Sequence, residues 1–407
     1  MKSTQVPRSL FGSGWWIGAT ALIYVVDRAL KLAAVAHFMG KPLPAAPATW
    51  PTVTLLQPIT RGASNLTAAL EARAAMHYPG AIQHVLICDR TDLESQAICQ
   101  AWITRHPAST VELLLVNGAS GSIASKIEKL NAGVKHAIGE VLCFIDDDIA
   151  PRPDTLALLV RYLETPGAGA TFGVACYTNW DTHAASLMSA FVNANALTSY
   201  LPLTYVAEPY TITGHIFALH RTVFAGIGGL SGMAQRIDDD HELARRVRAH
   251  GLHCVQTPAL YDVDNRLTGL SDYANQMRRW FVIPRQTMLP YLTAREQVIS
   301  FLGSVGNLLL PLLALLAATM SLSRKGRSTR RAFLAAAGAF GVGYWLTERC
   351  YLQSRTPIER WPHLFIAAVV APVQGILALM GRPEFKWRGQ HLRLNRGGTF
   401  ERVEPER

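Results

Sequence analysis

Between residues 53 and 146 short apolar runs alternate with polar stretches of helical periodicity. The runs are VTLLQP from Val53, HVLICD from His84, VELLLV from Val111 and VLCFID from Val141; the helical stretches lie at 65–76, 94–105 and 125–138. A strand with one wet face alternates apolar and polar residues. These runs are continuous instead, which requires cover on both faces and points to a parallel sheet flanked by helices. The expected fold class is therefore α/β, with a mainly parallel, Rossmann-like sheet. Ligands of such sheets sit at the carboxyl ends of the strands. The aspartates fall there: Asp89 and Asp92 after the second run, and Asp146, Asp147 and Asp148 at the end of the fourth.

Three adjacent carboxylates repel one another, and the end of a buried strand is a poor place to desolvate them. Something positive must meet them. An Asp-x-Asp pair suits a hard divalent cation such as Mg2+ or Mn2+, which takes oxygen ligands and shares them with substrate phosphates. In an extended chain Asp146 and Asp148 point to one side and Asp147 to the other. A solvated acidic turn is the bland alternative. A second acidic cluster, DDDHE from Asp238 to Glu242, weighs against it, although that cluster could merely complement a helix N-terminus.

Of the 407 residues 49% are hydrophobic and 17% charged, below the usual charged fraction of about 25%. The apolar excess gathers near the N-terminus and between Gln297 and Met380, which suggests membrane segments around a soluble middle. In the first segment Trp15 and Trp16 suit an interface belt. Asp27 and Lys31 are one helical turn apart and could pair, since charges inside a span are costly; an interfacial helix is the alternative. The Pro-rich GKPLPAAPATWP then links to the middle. After Gly251, SDYANQMRRWFVIPRQTMLPYL mixes basic and aromatic residues as a helix on a membrane surface does. Three apolar stretches follow, at 297–322, 332–347 and 361–380. The expected division is 1–50, an N-terminal membrane helix and linker; 51–270, the soluble domain; 271–295, an amphipathic interfacial helix; 296–381, a membrane region; and 382–407, a basic tail. The six cysteines show no Cys-x-x-Cys spacing and no His clustering, which argues for reduced thiols facing the cytosol. Lys and Arg flank the apolar segments and fill the tail rather than alternating with aromatics. An anionic lipid surface or a phosphorylated substrate fits that better than nucleic acid.

The order of motifs is that of a known group. SKIEKLNAGVKHAIGEVLCFIDDDIAPRPDTL, from Ser125, resembles the central signature of family 2-like, GT-A-fold glycosyltransferases, in which a Lys-x-x-x-Leu-Asn helix precedes a strand ending in Asp-x-Asp. DDDH resembles their acidic catalytic-base motif, and QMRRW their Gln-x-x-Arg-Trp. TLLQPITRG, RIDDDHELARRVRAHG, QMRRWFVIPRQTMLP and the tail WRGQHLRLNRGGT are similar to ceramide glucosyltransferases. The likeness runs from Val53 to Thr399. It implies a nucleotide-diphospho-sugar transferase domain, a UDP-sugar donor, a membrane lipid acceptor, Mg2+ or Mn2+, and inversion at the anomeric carbon. It implies Asp92, with or without Asp89, at the uridine; Lys126 on the nucleotide; Asp146 and Asp148 on sugar and metal; and Asp240 as general base, with Asp239 beside it on the donor. Gln276, Arg279 and Trp280 are implied to frame diphosphate and acceptor.

Two departures matter. The spacing in CDRTD leaves the choice between Asp89 and Asp92 open. FVNANALTSYLPLT lacks a His-Pro pair that the ceramide enzymes carry, which opens the acceptor to a hopanoid, diacylglycerol or polyprenyl lipid. A non-catalytic scaffold should have lost one of the aspartates, and none is missing. If the catalytic domain faces the cytoplasm, three full C-terminal spans would carry SRKGRSTRR and the basic tail to the far side, against the positive-inside bias. A re-entrant segment at 297–322, interrupted by Gly303, Gly306, Asn307 and Pro311, followed by a helical hairpin, is the expected solution.

Overall fold

A computed structural model describes residues 15–60, 65–117, 125–321, 326–387 and 390–403. Parts of three motifs (Arg61 and Gly62, 322–325, and 388–389) lie outside the described residues. After α1 (Trp15–Met39), the apolar runs form β1 (Val53–Pro58), β2 (Ile82–Asp89), β3 (Thr110–Val116) and β4 (Val141–Ile145), separated by α2 (Leu66–Ala74), α3 (Leu93–Arg105) and α4 (Ser125–Val134). The domain continues through β5 (Ile149–Pro151), α5 (Thr155–Leu163), β6 (Ala168–Tyr177), α6 (His183–Leu203), β7 (Ile216–His220), α7 (Arg221–Gly226), α8 (Asp239–Ala249) and β8 (His253–Val263). These strands make one sheet in the order β3-β2-β1-β4-β7-β6-β8-β5. β1 to β4 are mutually parallel; β7 runs antiparallel to both β4 and β6.

The absence of alternation in the runs has the expected cause. Every residue of β1 and β4 is buried. Leu55, Cys143 and Ile145 join one core with α5 and α6, while Leu56, Leu142 and Phe144 join a second with α4 and α8, where Phe144 stacks on Phe217 at 4.8 Å. The chain steps from β1 outward through β2 to β3, then returns to place β4 on the other side of β1. That reversal opens a crevice at the carboxyl ends of β1 and β4, and the three aspartates lie on its rim.

The remaining elements are α9 (Leu270–Thr287), α10 (Ala294–Met320), α11 (Gly326–Thr347), α12 (Trp361–Met380) and a small antiparallel sheet of β9 (Glu384–Trp387), β10 (Gln390–Leu394) and β11 (Phe400–Arg402). Two helices among the described residues, Ala294–Met320 and Ile358–Met380, are long and apolar enough to cross a membrane.

The expected bend at 297–322 is absent. α10 is one unbroken helix of 27 residues, started by a capping box between Thr293 and Glu296, and Pro311 lies within it. The supposed breakers serve the contact with α1. A Cβ at Gly306 would lie 2.6 Å from an Asp27 carboxylate oxygen, so glycine there lets the two helices approach. Asn307 accepts from Arg28 at 2.6 Å, and the Gly303 carbonyl accepts from Lys31 at 3.2 Å. Asp27 pairs with Lys31 at 3.1 Å as expected, and with Arg28 at 2.8 Å. Two arginines of α9 also find partners within the protein. Arg278 and Arg285 of α9 donate to the carbonyls of Ala378, Gly381, Arg382 and Glu384. Arg285 caps the C-terminal end of α12, where the helix dipole favours cations, and Arg278 ties α9 to the chain that enters β9.

Gly306→Ala is expected to lower the melting temperature of the detergent-solubilised protein, by overpacking worth about 1–3 kcal/mol. Gly338→Ala in α11, where a Cβ meets nothing within 4 Å, is expected to leave it unchanged or raise it. Equal shifts for the two variants would remove the close-approach explanation.

Candidate active site

Lys126 sits in the first turn of α4, where the helix dipole disfavours a cation. Two carboxylates hold it there. Its Nζ lies 2.9 Å from Asp146 Oδ1 and 3.0 Å from Asp239 Oδ2; the second contact is an ion pair by distance but out of line for a hydrogen bond. Burial pulls the ammonium pKa down, but Asp146 and Asp239 together outweigh it and leave the pKa well above the usual lysine range. One cation therefore joins the acidic end of β4 to the acidic start of α8, two motifs far apart in sequence.

The three aspartates of the β4 end have three surroundings. They form the turn between β4 and β5 rather than an extended chain, with the Ile149 N–H donating to the Asp146 carbonyl at 3.4 Å. Asp146 faces Lys126, and its own N–H donates to the His215 carbonyl at 2.9 Å. Asp147 turns toward the end of β1 and accepts from the Thr60 N–H. Asp148 faces a cleft of about 370 Å³ lined also by Asn65, Asn179, Asp181, Asp262 and Asp264. Burial, then the charge of Asp146, pushes the Asp148 carboxyl up to about 6. A turn therefore replaces the expected strand alternation, and the three side chains go to three different neighbours.

In the second cluster each acid again has a separate setting. Asp238 is fully buried and takes the fork of Arg236 at 3.1 and 2.7 Å. Asp239 is the first residue of α8, and burial raises its carboxyl pKa. Asp240 is half-buried, and one of its oxygens accepts the His241 N–H at 2.8 Å. A Cβ at Gly214 would lie 3.2 Å from the other. Gly214 thus keeps the approach to Asp240 clear.

α9 closes the crevice. Trp280 meets Tyr177 edge-on at 6.2 Å and Phe191 at 6.3 Å; Tyr177 in turn lies 6.3 Å from the His215 ring. Arg279 and Gln276 are half-buried on the same helix. The Arg279 charge is near enough to lower the pKa of Asp148 and of His215. The structure thus brings together Lys126, Asp146, Asp148, Asp239, Arg279 and Trp280, with Asp240 next to Asp239.

Asp89 and Asp92 lie apart, at the carboxyl end of β2. Asp92 is the N-cap of α3, accepts the Ser95 N–H at 3.3 Å and is 5% exposed. Asp89 is half-buried, and its Oδ1 accepts from the N–H and hydroxyl of Thr91 at 2.9 and 2.7 Å. Of the two, Asp89 is the more open to a ligand.

Sequence reasoning missed the supports of this site. Arg73, fully buried on α2, donates to Gln57 and to the Asp146 carbonyl. Burial lowers its pKa to about 10. The one available signal was a cation on the buried face of a short helix. Tyr261 bonds His215 at 3.1 Å and left no signal in its apolar strand.

The pattern of glycosyl transferase family 21 matches residues 15–400. Glycosyltransferase AglE of Haloferax volcanii is 27% identical over 109 residues, or 26% of this chain and 34% of that protein, so the chain spans about a third of this relative's length. Among solved structures, the mannosyltransferase PcManGT from Pyrobaculum calidifontis, in complex with GDP-Man and Mn2+, is similar over 88% of this chain and 99% of that one, at 18% identity and a TM-score of 0.50. That likeness is one of fold, and with the mixed eight-stranded sheet it bears out the expected GT-A architecture.

Lys126→Met is expected to leave Asp146 and Asp239 facing each other across an uncompensated gap. With the lysine side chain 25% exposed, the loss should be about 1–3 kcal/mol, below the ~3–5 kcal/mol of a wholly buried pair. Denaturant titration reads it, and Asp239→Asn in the same background should restore part of the loss. An unchanged midpoint for Lys126→Met would mean that the bridge contributes nothing to the fold.

Proposed function

The chain belongs to glycosyl transferase family 21, and on that premise we propose that it transfers a hexose, glucose by preference, from a UDP-sugar to the hydroxyl of a membrane lipid such as ceramide, with inversion to a β-linked glycolipid. The observation that carries this reading is the Lys126 bridge. It sets the proposed donor-binding acids beside the proposed base in one crevice.

The donor set fits a divalent cation. Asp148 and Asp146 are close enough for one charge to raise the pKa of the other, and a bound cation relieves that repulsion. Among the described residues no group of three or more His, Cys, Asp and Glu could hold a metal ion; an ion on Asp146 and Asp148 would complete its shell from the donor phosphates, as Mg2+ commonly does. Mg2+ or Mn2+ so held supplies Lewis-acid neutralisation of the diphosphate leaving group.

The protein's own groups do the rest. Asp89, with Asp92 behind it as a cap, is the contact for uridine. Lys126 and Arg279 add positive charge where the diphosphate gains negative charge, and Gln276 and Trp280 border the acceptor. The lipid hydroxyl oxygen attacks the anomeric carbon as the bond from that carbon to the diphosphate oxygen breaks. Its proton passes to the Asp240 carboxylate. Attack opposite the leaving group turns an α-linked donor into a β-linked product.

The membrane arrangement we propose is supported by where the helix ends meet the catalytic domain. α10 begins beside Arg248, which pairs with Glu296, and Leu352, after α11, is buried against Val174 and Cys176. The start of α12 meets Asp181 and His183 through Arg360 and His363. The tail after α12 pairs with Gln235 and Arg236. Our arrangement is α1 as a span, α10 and α11 as a hairpin that leaves and returns, and α12 lying along the cytoplasmic domain with Ile366, Val373 and Ile376 toward lipid. The tail then stays on the catalytic side without a bend in α10.

Asp240→Asn is expected to lower turnover by about 10²–10⁴-fold with nucleotide affinity nearly unchanged. The assay is a screen of UDP-glucose, UDP-galactose, UDP-GlcNAc and GDP-mannose against total lipid extract, read by mass spectrometry. A variant that keeps more than half of wild-type turnover would exclude Asp240 as base, and a wild type without metal-dependent transfer or hydrolysis of any donor would favour a scaffold. For the arrangement, Ser328→Cys and Thr399→Cys in oriented vesicles, with Cys350 replaced, should label from opposite sides, Thr399→Cys from the catalytic side. Labelling of both from the far side would restore three full C-terminal spans. The test falls on SRKGRSTRR, which this arrangement carries across the membrane against the positive-inside bias.

A further inference from the structure

The small C-terminal sheet lies outside the catalytic domain in sequence but touches both of its working parts. On one side it meets α9. Lys386 and Asn275 exchange hydrogen bonds, the Lys386 N–H donating to the Asn275 side chain at 2.9 Å. Arg278 donates to the Glu384 carbonyl at 2.6 Å. These bonds fix β9 against the turn of α9 that carries Arg279, and they bring the Trp387 ring to 5.4 Å from the Arg279 guanidinium carbon. On the other side the sheet meets the segment that leads into α8. The Phe400 N–H donates to the Gln235 carbonyl at 3.3 Å, and Thr399 bridges Arg236. Gly398, at φ +95°, lies so close to Asp238 that a Cβ would sit 2.2 Å from its carboxylate. Phe385, Leu392, Leu394 and Phe400 share one buried cluster with Met233 and Val282, so the sheet is a wedge between the two parts.

We propose that this sheet is a positioning element of the active site, in which the face of Trp387 holds the Arg279 guanidinium in place for the donor diphosphate. The physical reason lies in the arginine itself. A long side chain gives up considerable rotamer freedom when it clamps a phosphate, and a ring that already holds the guanidinium removes part of that loss before the donor arrives. An indole face is the strongest of the aromatic partners for this purpose. The backbone bonds from Asn275 and Arg278 keep the ring in register with its arginine. The inference rests on the proposed reading of the site as a nucleotide-sugar site. Trp387 acts through Arg279 and is a positioning residue, not a catalytic one.

The test separates the π face from mere bulk. The full chain in detergent is titrated calorimetrically with UDP in the presence of Mn2+, and donor and acceptor KM are measured on the same preparations. Trp387→Phe keeps an aromatic face and should stay within about threefold of wild type. Trp387→Leu keeps apolar bulk without that face, and should weaken UDP binding and raise donor KM by about 3- to 10-fold, with acceptor KM unchanged. On an Arg279→Ala background the same Leu substitution should add nothing. If Leu and Phe behave alike, if donor and acceptor KM rise together, or if Leu still weakens UDP binding without Arg279, the sheet is structural packing and the inference is overturned. A wild type that binds neither UDP nor GDP takes down the functional reading and this inference with it. Wild-type binding with an unaffected Trp387→Leu takes down this inference alone.

Discussion

Everything at this site depends on a single ammonium group placed between two carboxylates. Two like charges about 4 Å apart repel by roughly 4 kcal/mol in the partly screened surroundings near a protein surface. An acidic strand end and an acidic helix start could not share a crevice on those terms. The Lys126 contacts, at 2.9 and 3.0 Å, convert that repulsion into a bridge, and two segments almost a hundred residues apart become one site. The sheet topology makes the bridge possible. Where the chain reverses its order about β1 an opening forms at the carboxyl ends, with β7 beside β4 to bring Gly214 and His215 to the same rim.

Much of this was legible in the sequence. Unbroken apolar runs meant strands covered on both faces, and the buried β1 and β4 are such strands. An acidic triplet at a strand end in a basic chain meant a cationic partner. Where the reading failed, it took each residue's local tendency for its function. Gly306 and Asn307 read as helix breakers, yet one makes room for Asp27 and the other accepts from Arg28. Each of these outcomes was decided by a partner distant in sequence, which no window along the chain contains. Arg73 is the extreme case, since a buried cation under the acidic turn is visible only once α2 is folded onto β5.

The order of the chain has a consequence for how the protein is made. Trp387 and Gly398 are among the last residues of the fold, and they lie against Arg279 and Asp238. A chain growing on the ribosome has exposed both aspartate clusters, the lysine between them and the two long apolar helices Ala294–Met320 and Ile358–Met380 before these residues emerge. The nascent molecule therefore passes through a stage that has the acidic crevice without its final wedge. Contacts across such separations close late and slowly, so a molecule nicked before residue 387 during its synthesis carries the chemical groups without the wedge that packs against them.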